Sequence, residues 1–505
     1  MKKGAEKYKA AATDDYSGAL PGKLLEENIA FFNGIFKKDS VLRQKKIIVH
    51  GVYNYECALF YMDGMVDSEL ITESIVKPLL LVQNERTEGS FADYIKNQVL
   101  FASETKSTEN VADMLRAVLY GDTLLLIDGC LTAITINTKG WRTRGISEPS
   151  DERILQGPRE GFDEAALLNV AMIRRKLLTP DLCTEMVRIG RRSDTIVFIC
   201  YLDSLADGAM VAELKRRLSK INIDGILDTN YIAELIRDKP RSLFKTSGTT
   251  ERPDIVAARL LEGRIALIAD GTPVVLTFPY LFSESFQSDE DYYLNYAIAS
   301  VGRVLRYICF FLSVSIPAVF IAAATYHKEL LPTSLALTVT QLRGGVPFPA
   351  FAECILLIFV FEILKETGVR MPQSLGHALS IVGGLVVGQA AVEARIISAP
   401  MLIIVALAGI SGLMIPRLKG AVFYFRIIFV CLSALFGLYG YIAGFTLMLI
   451  HILQLSSLGV SSTASLNSAD KRSLKDTFWR APWKNMHTRP IFCRNSVRME
   501  NKKSD

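Results

Sequence analysis

The stretch IIFVCLSALFGLYGYIAGFTLMLIHILQL, residues 427–455, contains no Asp, Glu, Lys or Arg. It is the last of four long uncharged apolar runs: Tyr307–Tyr326, Met371–Val392, Ile396–Pro416 and Ile427–Leu455. A helix of about 20 apolar residues is long enough to cross the hydrocarbon core of a bilayer. Four such runs in succession predict an all-α polytopic membrane domain, which we place at residues 300–457.

A fifth apolar patch, Ala350–Ile363, is shorter and contains Glu353 and Glu362. It fits a re-entrant or interfacial helix as well as a full span, so the sequence allows four to six membrane segments. A carboxylate that faces lipid is costly. We therefore expect at least one of the two glutamates to face protein or water, paired with Arg343 or Arg370.

The segment Ser380–Glu393 is the strongest candidate for lining a pore. Glycines allow helices to approach closely, and an acidic residue at a pore mouth favours cations. Ordinary helix packing is the alternative for the glycines, and a loop is the alternative for the glutamate. The candidate residues are Gly383, Gly384, Gly388, Gln389 and Glu393.

Composition restricts the other classes of function. The net charge of +5 is too small to indicate nucleic-acid binding. Eight cysteines without a C-x-x-C pair argue against a disulfide framework or a zinc site. The first residues lack the apolar core of a signal peptide. We therefore predict that the region before the first span, and the basic tail at 458–505, are cytoplasmic.

An internal duplication is predicted in the region before the membrane domain. Tyr61–Asp67 and Tyr201–Asp207 share the pattern Tyr-x-Asp-x-x-x-Asp, and each precedes a helical pattern. Further on, Gly121–Gly129 and Gly263–Gly271 each end in Asp-Gly between two apolar runs, which indicates a hairpin with a type I′ turn. The same motifs in the same order indicate two similar α/β lobes, at 41–145 and 180–285.

The remaining divisions are a flexible arm at 1–40, with one short helix at Leu24–Phe36, and a linker helix that opens the 146–285 domain. The repeated aspartates are interpreted structurally: Asp67 and Asp207 as helix N-caps, and Asp128 and Asp270 as turn residues. The basic cluster at 174–176 is interpreted as a solvated helix end.

No catalytic constellation is visible. The sequence contains no P-loop, H-E-x-x-H, G-x-S-x-G or C-x-x-C motif. We therefore predict that the protein is not an enzyme, and we nominate no catalytic, cofactor-binding or metal-binding residue.

Topology leaves two models. The basic tail and the lobes should both lie inside, which requires an even number of crossings. Four straight crossings satisfy this but place Arg417, Lys419 and Arg426 outside. The alternative counts Ala350–Ile363 as a span and requires the final run, with Gly437, Gly440 and Gly444 near its middle, to turn back. We favour four crossings, because a reversal within the membrane is unusual.

Several motifs resemble the A subunits of GerA-type spore germination receptors. They occur in the family's order over residues 58–490: FYMDGMVD (60–67), GPREGFDEAALLNVAMIRRKL (157–177), LFKTSGTTERPD (243–254), EGRIALIADGTP (262–273), FQSDEDYY (286–293), RGGVPFPAFAE (343–353), FEILKETGVRMP (361–372) and KDTFWRAPWKNMHTRP (475–490).

The resemblance implies a receptor subunit in the inner membrane of dormant bacterial spores. It implies partnership with a transporter-like B subunit and a lipoprotein C subunit, with nutrient binding mainly at the B subunit. The A subunit is expected to be oligomeric and to conduct ions or transmit the signal. A secondary transporter, or a membrane scaffold subunit without a pore of its own, is the alternative.

Overall fold

The computed structural model describes residues 13–16, 21–50, 54–82, 91–102, 104–140, 156–370, 388–467, 475–494 and 497–498. Two α/β lobes are followed by a helical part. The strands of lobe 1 are β1 Leu42–Val49, β2 Tyr55–Met62, β3 Thr105–Thr108, β4 Thr123–Ile127 and β5 Ala133–Ile136. Its helices are α1 Leu25–Ile35, α2 Ser68–Ile71, α3 Lys77–Leu81, α4 Phe91–Tyr94 and α5 Val111–Leu119, with π-helical turns at Thr72–Val76 and Ile95–Val99.

Lobe 2 repeats this plan. Its strands are β6 Leu182–Ile189, β7 Thr195–Leu202, β8 Gly248–Thr250, β9 Ile265–Ala269 and β10 Val275–Phe278. Its helices are α6 Ala166–Lys176, α7 Gly208–Leu218, α8 Thr229–Leu235 and α9 Pro253–Leu260. The sheet orders are β1-β2-β4-β5-β3 and β6-β7-β9-β10-β8. The two halves therefore have the same topology, as the predicted duplication requires.

Matching hydrogen bonds extend the equivalence to the helix before each sheet. Asn28 in α1 bonds through its side chain with the backbone of Gly22, and Asn169 in α6 bonds in the same way with Asp163. The helix that the sequence assigns to the amino-terminal arm is thus α1, and its Phe32 is buried in the core of lobe 1.

The Asp-Gly turns differ from the predicted type I′ geometry. Only their glycines are left-handed, with φ of +77° at Gly129 and +89° at Gly271. The aspartate side chains reach the preceding helices instead: Asp128 accepts from the Leu25 N–H at 2.9 Å, and Asp270 accepts from the Ala166 N–H at 3.0 Å. Each turn therefore also fixes the start of a helix, a role that the sequence did not reveal.

The N-cap predictions for the other two aspartates are confirmed. The Asp67 carboxylate accepts from the N–H groups of Glu69 and Leu70, and the Asp207 carboxylate accepts from the N–H of Ala209. The basic-cluster prediction is wrong for Arg174. Its side chain is fully buried and pairs with Asp39, because α6 ends between the two lobes.

Each sheet is covered on both faces. In lobe 2, α6 and α9 pack on one face and α7 and α8 on the other. The central strands β4 and β9 are buried along their whole length. This explains why both are continuous apolar runs rather than alternating patterns.

The helical part contains α10 Tyr296–Thr325, α11 Thr333–Arg343, α12 Ala350–Arg370, α13 Ala399–Leu413, α14 Lys419–Leu453 and the short α15 Ala464–Asn467, with a small hairpin of β11 Ser456–Ser457 and β12 Val460–Ser461 between the last two. Among the described residues, the segments Tyr296–Thr325 and Pro416–Leu453 are long and apolar enough to span a membrane. The patch at 350–363 belongs to one continuous helix rather than a short interfacial one.

Helix α14 folds back on itself at Gly437. The backbone there has φ +62° and ψ −140°, a conformation that only glycine adopts readily. The rings of Phe429 and Phe445 lie 6.4 Å apart between centroids, whereas a straight helix would separate these residues by roughly 24 Å. A side chain on Gly440 would collide with the Leu432 carbonyl oxygen. The straight final crossing favoured from the sequence is therefore absent.

Both ends of α14 lie next to lobe 2. Before its first turn, Arg417 bonds to Asp289 at 2.9 Å. In its last turn, His451 lies 3.0 Å from the Ser242 hydroxyl. The reversal lies beside the end of α10 that is farther from lobe 2. There the Tyr326 hydroxyl donates to the Ala434 carbonyl at 2.8 Å. The helical part thus has a lobe end and a far end, and α14 starts and finishes at the lobe end.

Candidate functional site at the membrane junction

Residues 281–293, here called the junction segment, connect lobe 2 to α10. They form two short 3-10 turns, Phe282–Phe286 and Asp289–Tyr292. Two carboxylates in these turns are almost completely buried: Glu284 is 2% exposed and Asp291 is 1% exposed. Buried carboxylates need charged partners and hydrogen bonds, and these partners come from lobe 2, the helical part and the tail.

Glu284 joins the junction segment to lobe 2. Its carboxylate pairs with Arg259 in α9 and with Arg264, which donates at 2.5 Å. Burial by itself would raise the pKa of Glu284, but the two guanidinium groups hold that pKa below its usual value. The Glu284 carbonyl accepts from Arg417 at 3.1 Å. One residue therefore connects lobe 2, the junction segment and the start of α14.

Asp291 joins the junction segment to α10. Arg306 donates to both carboxylate oxygens, at 2.8 and 2.9 Å. Arg303, one turn earlier and fully buried, donates through Nε at 3.3 Å. A carboxylate held by two guanidinium groups fixes their geometry as well as their charge. The beginning of α10 is therefore fixed to the junction segment.

The tail is the third component. Asp476 accepts from Arg303 at 2.7 Å and from the Tyr292 hydroxyl at 2.6 Å. Arg480 donates to the carbonyls of Asp291 and Leu294 at 2.7 and 2.8 Å. The basic tail is thus docked: residues 475–494 contact α10, the junction segment and lobe 2.

A cavity of about 540 Å³ lies among these elements. Its walls come from α9, the junction segment, the loop before α14 and the tail. The lining includes Arg259, Glu262, Tyr292, Arg417 and Trp483. Movement of the tail or of α14 relative to lobe 2 would change the shape of this cavity. Within the described residues, no group of His, Cys, Asp or Glu side chains could hold a metal ion.

Arg426 links three helices inside the helical part. Pro317 has no N–H, so the carbonyl of Ser313 lacks its usual helical donor. The Arg426 Nε donates to that carbonyl at 2.8 Å, and Nη2 donates to the Ala408 carbonyl at 2.9 Å. This guanidinium therefore stabilises the kink-prone region of α10 against α13 and α14.

At the far end, Glu353 is buried between helices. Its carboxylate accepts from the Ser398 N–H at 2.5 Å, at the start of α13, where a helix N-terminus favours negative charge. Arg343, the partner suggested by the sequence, lies 3.9 Å away. Glu362 lies one-quarter exposed and pairs with Lys365 at 3.2 Å. Of the two glutamates in α12, Glu353 is therefore the one that protein encloses fully.

The described pore candidates do not contact the buried charged residues of the junction segment, Arg426 or Glu353. Gly383 and Gly384 lie outside the described residues. Gly388 faces Leu402, while Gln389 and Glu393 are exposed at the end of a helix over 388–393. Arg395, which follows, has φ +56° and lies against Gly345. Glu393 is the last residue of this helix, and both its role in a pore and the alternative that it marks a loop stay predictions.

Comparison with known proteins identifies the family. The model of the Bacillus/Clostridium GerA spore germination protein family matches residues 30–492. The chain belongs to this family. Among GerA-family relatives, spore germination protein KA of Bacillus subtilis is 40% identical over 88% of this chain and 82% of its own length. GerLA of Bacillus cereus is 34% identical over 86% of this chain and 89% of its own length.

A solved structure also matches. The crystal structure of the N-terminal domain of the A subunit of the Bacillus megaterium spore germinant receptor GerK3 is 30% identical, with a TM-score of 0.42, over 52% of this chain and 98% of that one. The uncharacterized membrane protein YfkQ of Bacillus subtilis is 37% identical over 86% of this chain and 84% of its own length.

Sequence reasoning missed the charged residues of the junction. Asp291 and Asp476 lie within motifs that carry the family resemblance, FQSDEDYY and KDTFWRAPWKNMHTRP. The available signal was an acidic segment just before an apolar run, together with Asp476 among the basic residues of the tail. That these groups meet at Arg303 could not be read from one sequence.

Proposed function

We propose that this chain is the A subunit of a nutrient-responsive germinant receptor in the spore inner membrane. It works with a transporter-like B subunit and a lipoprotein C subunit, and it converts germinant binding into ion release. Family membership supports the role in germination. The observation that carries the transmitting role is the buried network of Asp291, Arg303 and Asp476, because it connects the junction segment and the tail to the proposed first membrane helix. Glu284 connects the same segment to lobe 2.

Replacing Arg303 tests this role. Arg303→Met leaves Asp291 and Asp476 without a shared partner, so spores carrying it should release potassium much more slowly after nutrient addition. Removing one partner of a buried charge pair costs about 3–5 kcal/mol. Immunoblots of spore membranes must accompany the release measurement. Arg188→Met is the matched control, since Arg188 forms an exposed pair with Asp194 in lobe 2.

Arg303→Lys separates transmission from folding. It retains the charge but not the forked geometry, so we expect normal abundance with slowed release. If Arg303→Met accumulates normally and releases potassium at the wild-type rate, the junction does not transmit the signal.

Ion conduction is proposed to occur between copies of this chain. The described helices pack around a continuous apolar core that includes Val314, Met401 and Phe429, which favours a pathway at an interface between chains over one through a single chain. Gln389 and Glu393 are the proposed pore-side residues, with the glycines before them. Flux in proteoliposomes that contain this chain alone would support a pore. If flux requires the partner subunits, this chain is better explained as a scaffold without a pore of its own. If flux depends on the gradient of a coupling ion, a secondary transporter is favoured instead.

We also propose that the lobes, the tail and both ends of α14 lie on the cytoplasmic side. The contacts of Arg417 and His451 with lobe 2 and its junction support this. The arrangement keeps Arg417 and Lys419 inside, as the positive-inside rule favours. Each arm of α14 is roughly 25 Å long, short but close to the thickness of a hydrocarbon core.

Cysteine labelling in sealed vesicles of known orientation tests the topology. Lys419→Cys and Gln454→Cys should react from the same side, and Glu329→Cys, near the far end of α10, from the opposite side. A straight final crossing instead places positions 419 and 454 on opposite sides.

A further inference from the structure

In lobe 1, the chain segment that follows the last strand of the sheet bonds to the loop that follows β2. Beyond β5, the Thr138 carbonyl accepts from the Asp67 N–H at 2.8 Å, and the Gly140 N–H donates to the Met65 carbonyl at 3.1 Å. Lys139 forms a bridge with Val66 between these bonds. The loop that follows β2 is therefore covered by the chain segment immediately after the sheet.

Lobe 2 has the same loop, with Leu205 in the place of Met65, but its chain leaves β10 for the junction segment. The corresponding bond comes from the tail instead. The Arg494 N–H donates to the Leu205 carbonyl at 2.9 Å, and the Cys493 Sγ lies 3.3 Å from the same oxygen. Cys493 is buried among core residues of lobe 2.

Other tail contacts flank this bond. The Arg489 Nε donates to the Leu261 carbonyl at 2.9 Å, at the end of α9. Arg498 pairs with Glu262 at 3.2 Å. The guanidinium carbon of Arg264 lies 5.4 Å from the centre of the Phe492 ring, within the range of a cation–π contact.

We infer that residues 489–494 form the missing edge piece of lobe 2, so that the membrane helices are an insertion within the fold of this lobe. The surface beside Leu205 and Gly263 is then a docking site whose occupant is the chain's own tail. Release of the tail would open lobe 2 and at the same time free Asp476 from Arg303. This inference does not depend on the proposed function, because docking is measurable without germination.

Glycine at position 263 makes the docking possible. Its φ is +76°, and an added Cβ would lie 2.7 Å from the Leu205 oxygen and 2.8 Å from the Cys493 Sγ. Gly271 has a similar φ of +89°, but an added Cβ there meets nothing within 4 Å. Gly263→Ala and Gly271→Ala therefore share the backbone strain, whereas only Gly263→Ala displaces the tail.

Thiol labelling of the full-length chain in its membrane, with mass spectrometry of each cysteine, tests the inference. In the wild type, Cys493 and Cys200 should both be protected, since Cys200 lies in the core of lobe 2. Gly263→Ala should speed the labelling of Cys493 by about tenfold or more through local opening, while Cys200 stays protected. Gly271→Ala should change neither rate.

Three results would overturn the inference: rapid labelling of Cys493 in the wild type, its unchanged protection in Gly263→Ala, or equal acceleration in Gly271→Ala. If Gly263→Ala exposes both cysteines, the lobe has unfolded. The double variant Arg489→Met/Arg498→Met then tests whether the tail docks. That variant changes only the tail, so it should expose Cys493 alone. Continued protection of Cys493 there would also reject the docking site.

Discussion

Lobes 1 and 2 have one topology but different surfaces at the turn before their central strand. In lobe 2, Arg259 in the last turn of α9 and Arg264 just before β9 bind Glu284 of the junction segment. The corresponding residues of lobe 1 are Ala117 and Asp122. Asp122 pairs instead with Lys139 of its own lobe. The repeated fold thus supplies the scaffold, and a few charged substitutions on one copy attach it to the membrane helices.

Exchanging residues between the lobes should have the largest effect. Arg259→Ala gives lobe 2 the residue of lobe 1 and leaves Glu284 with Arg264 as its remaining ionic partner from that lobe. We expect a loss of about 3 kcal/mol in the free energy of unfolding, measured on the purified chain in detergent. The reciprocal change, Ala117→Arg, is at a partly exposed position whose neighbouring carboxylate, Asp122, already pairs with Lys139. It should alter stability by about 0.5 kcal/mol at most.

The same contact gives a pH dependence. Because the pKa of folded Glu284 lies below the usual 4.5, its pairing stabilises the protein fully above that pH, and the stabilisation is lost as the pH falls through the folded value. Unfolding measured from pH 7 to pH 3 should therefore show a decline that Glu284→Gln reduces. Equal costs for Arg259→Ala and Ala117→Arg, or an unchanged pH profile in Glu284→Gln, would show that the two lobes do not differ in the proposed way.

A loss smaller than that of Arg259→Ala is expected for the contact that the two lobes share. Asp128→Ala and Asp270→Ala remove equivalent bonds to the first turns of α1 and α6. Each should cost about 1 kcal/mol, as the loss of a capping side chain does. Hydrogen exchange at Leu25 and Ala166 would locate the two losses. A cost that differs strongly between the variants would mean that the repeats have diverged in this contact.

Much of the lobe architecture could be predicted because its signals are local. Helices α2 and α7 begin directly after Asp67 and Asp207, where the sequence predicts them, and the hairpins lie at both Asp-Gly pairs. Periodicity and turn chemistry depend on neighbours along the chain, so one sequence contains them. The shared order of motifs then predicted the duplication that the sheets display.

The junction could not be predicted because its partners are far apart in the sequence. Arg303 and Asp476 are separated by 173 positions, and no local pattern marks them as a pair. The reversal of α14 was the less favoured of the two topology models for another reason: a turn within the membrane is unusual, so the sequence favoured a straight final helix. Arg174 was misassigned because a basic helix end has the same composition whether it is solvated or buried.

Because the tail is part of the same chain as lobe 2, its intrinsic affinity for the docking site can be low. Both ends of the inserted helices are fixed near lobe 2, so the tail reaches its site at a high effective concentration without diffusing freely. Weak contacts are then sufficient to keep it bound, and a separate peptide of the same sequence would compete poorly. Occupancy of the site accordingly depends on how the membrane helices are arranged more than on the intrinsic affinity of the tail.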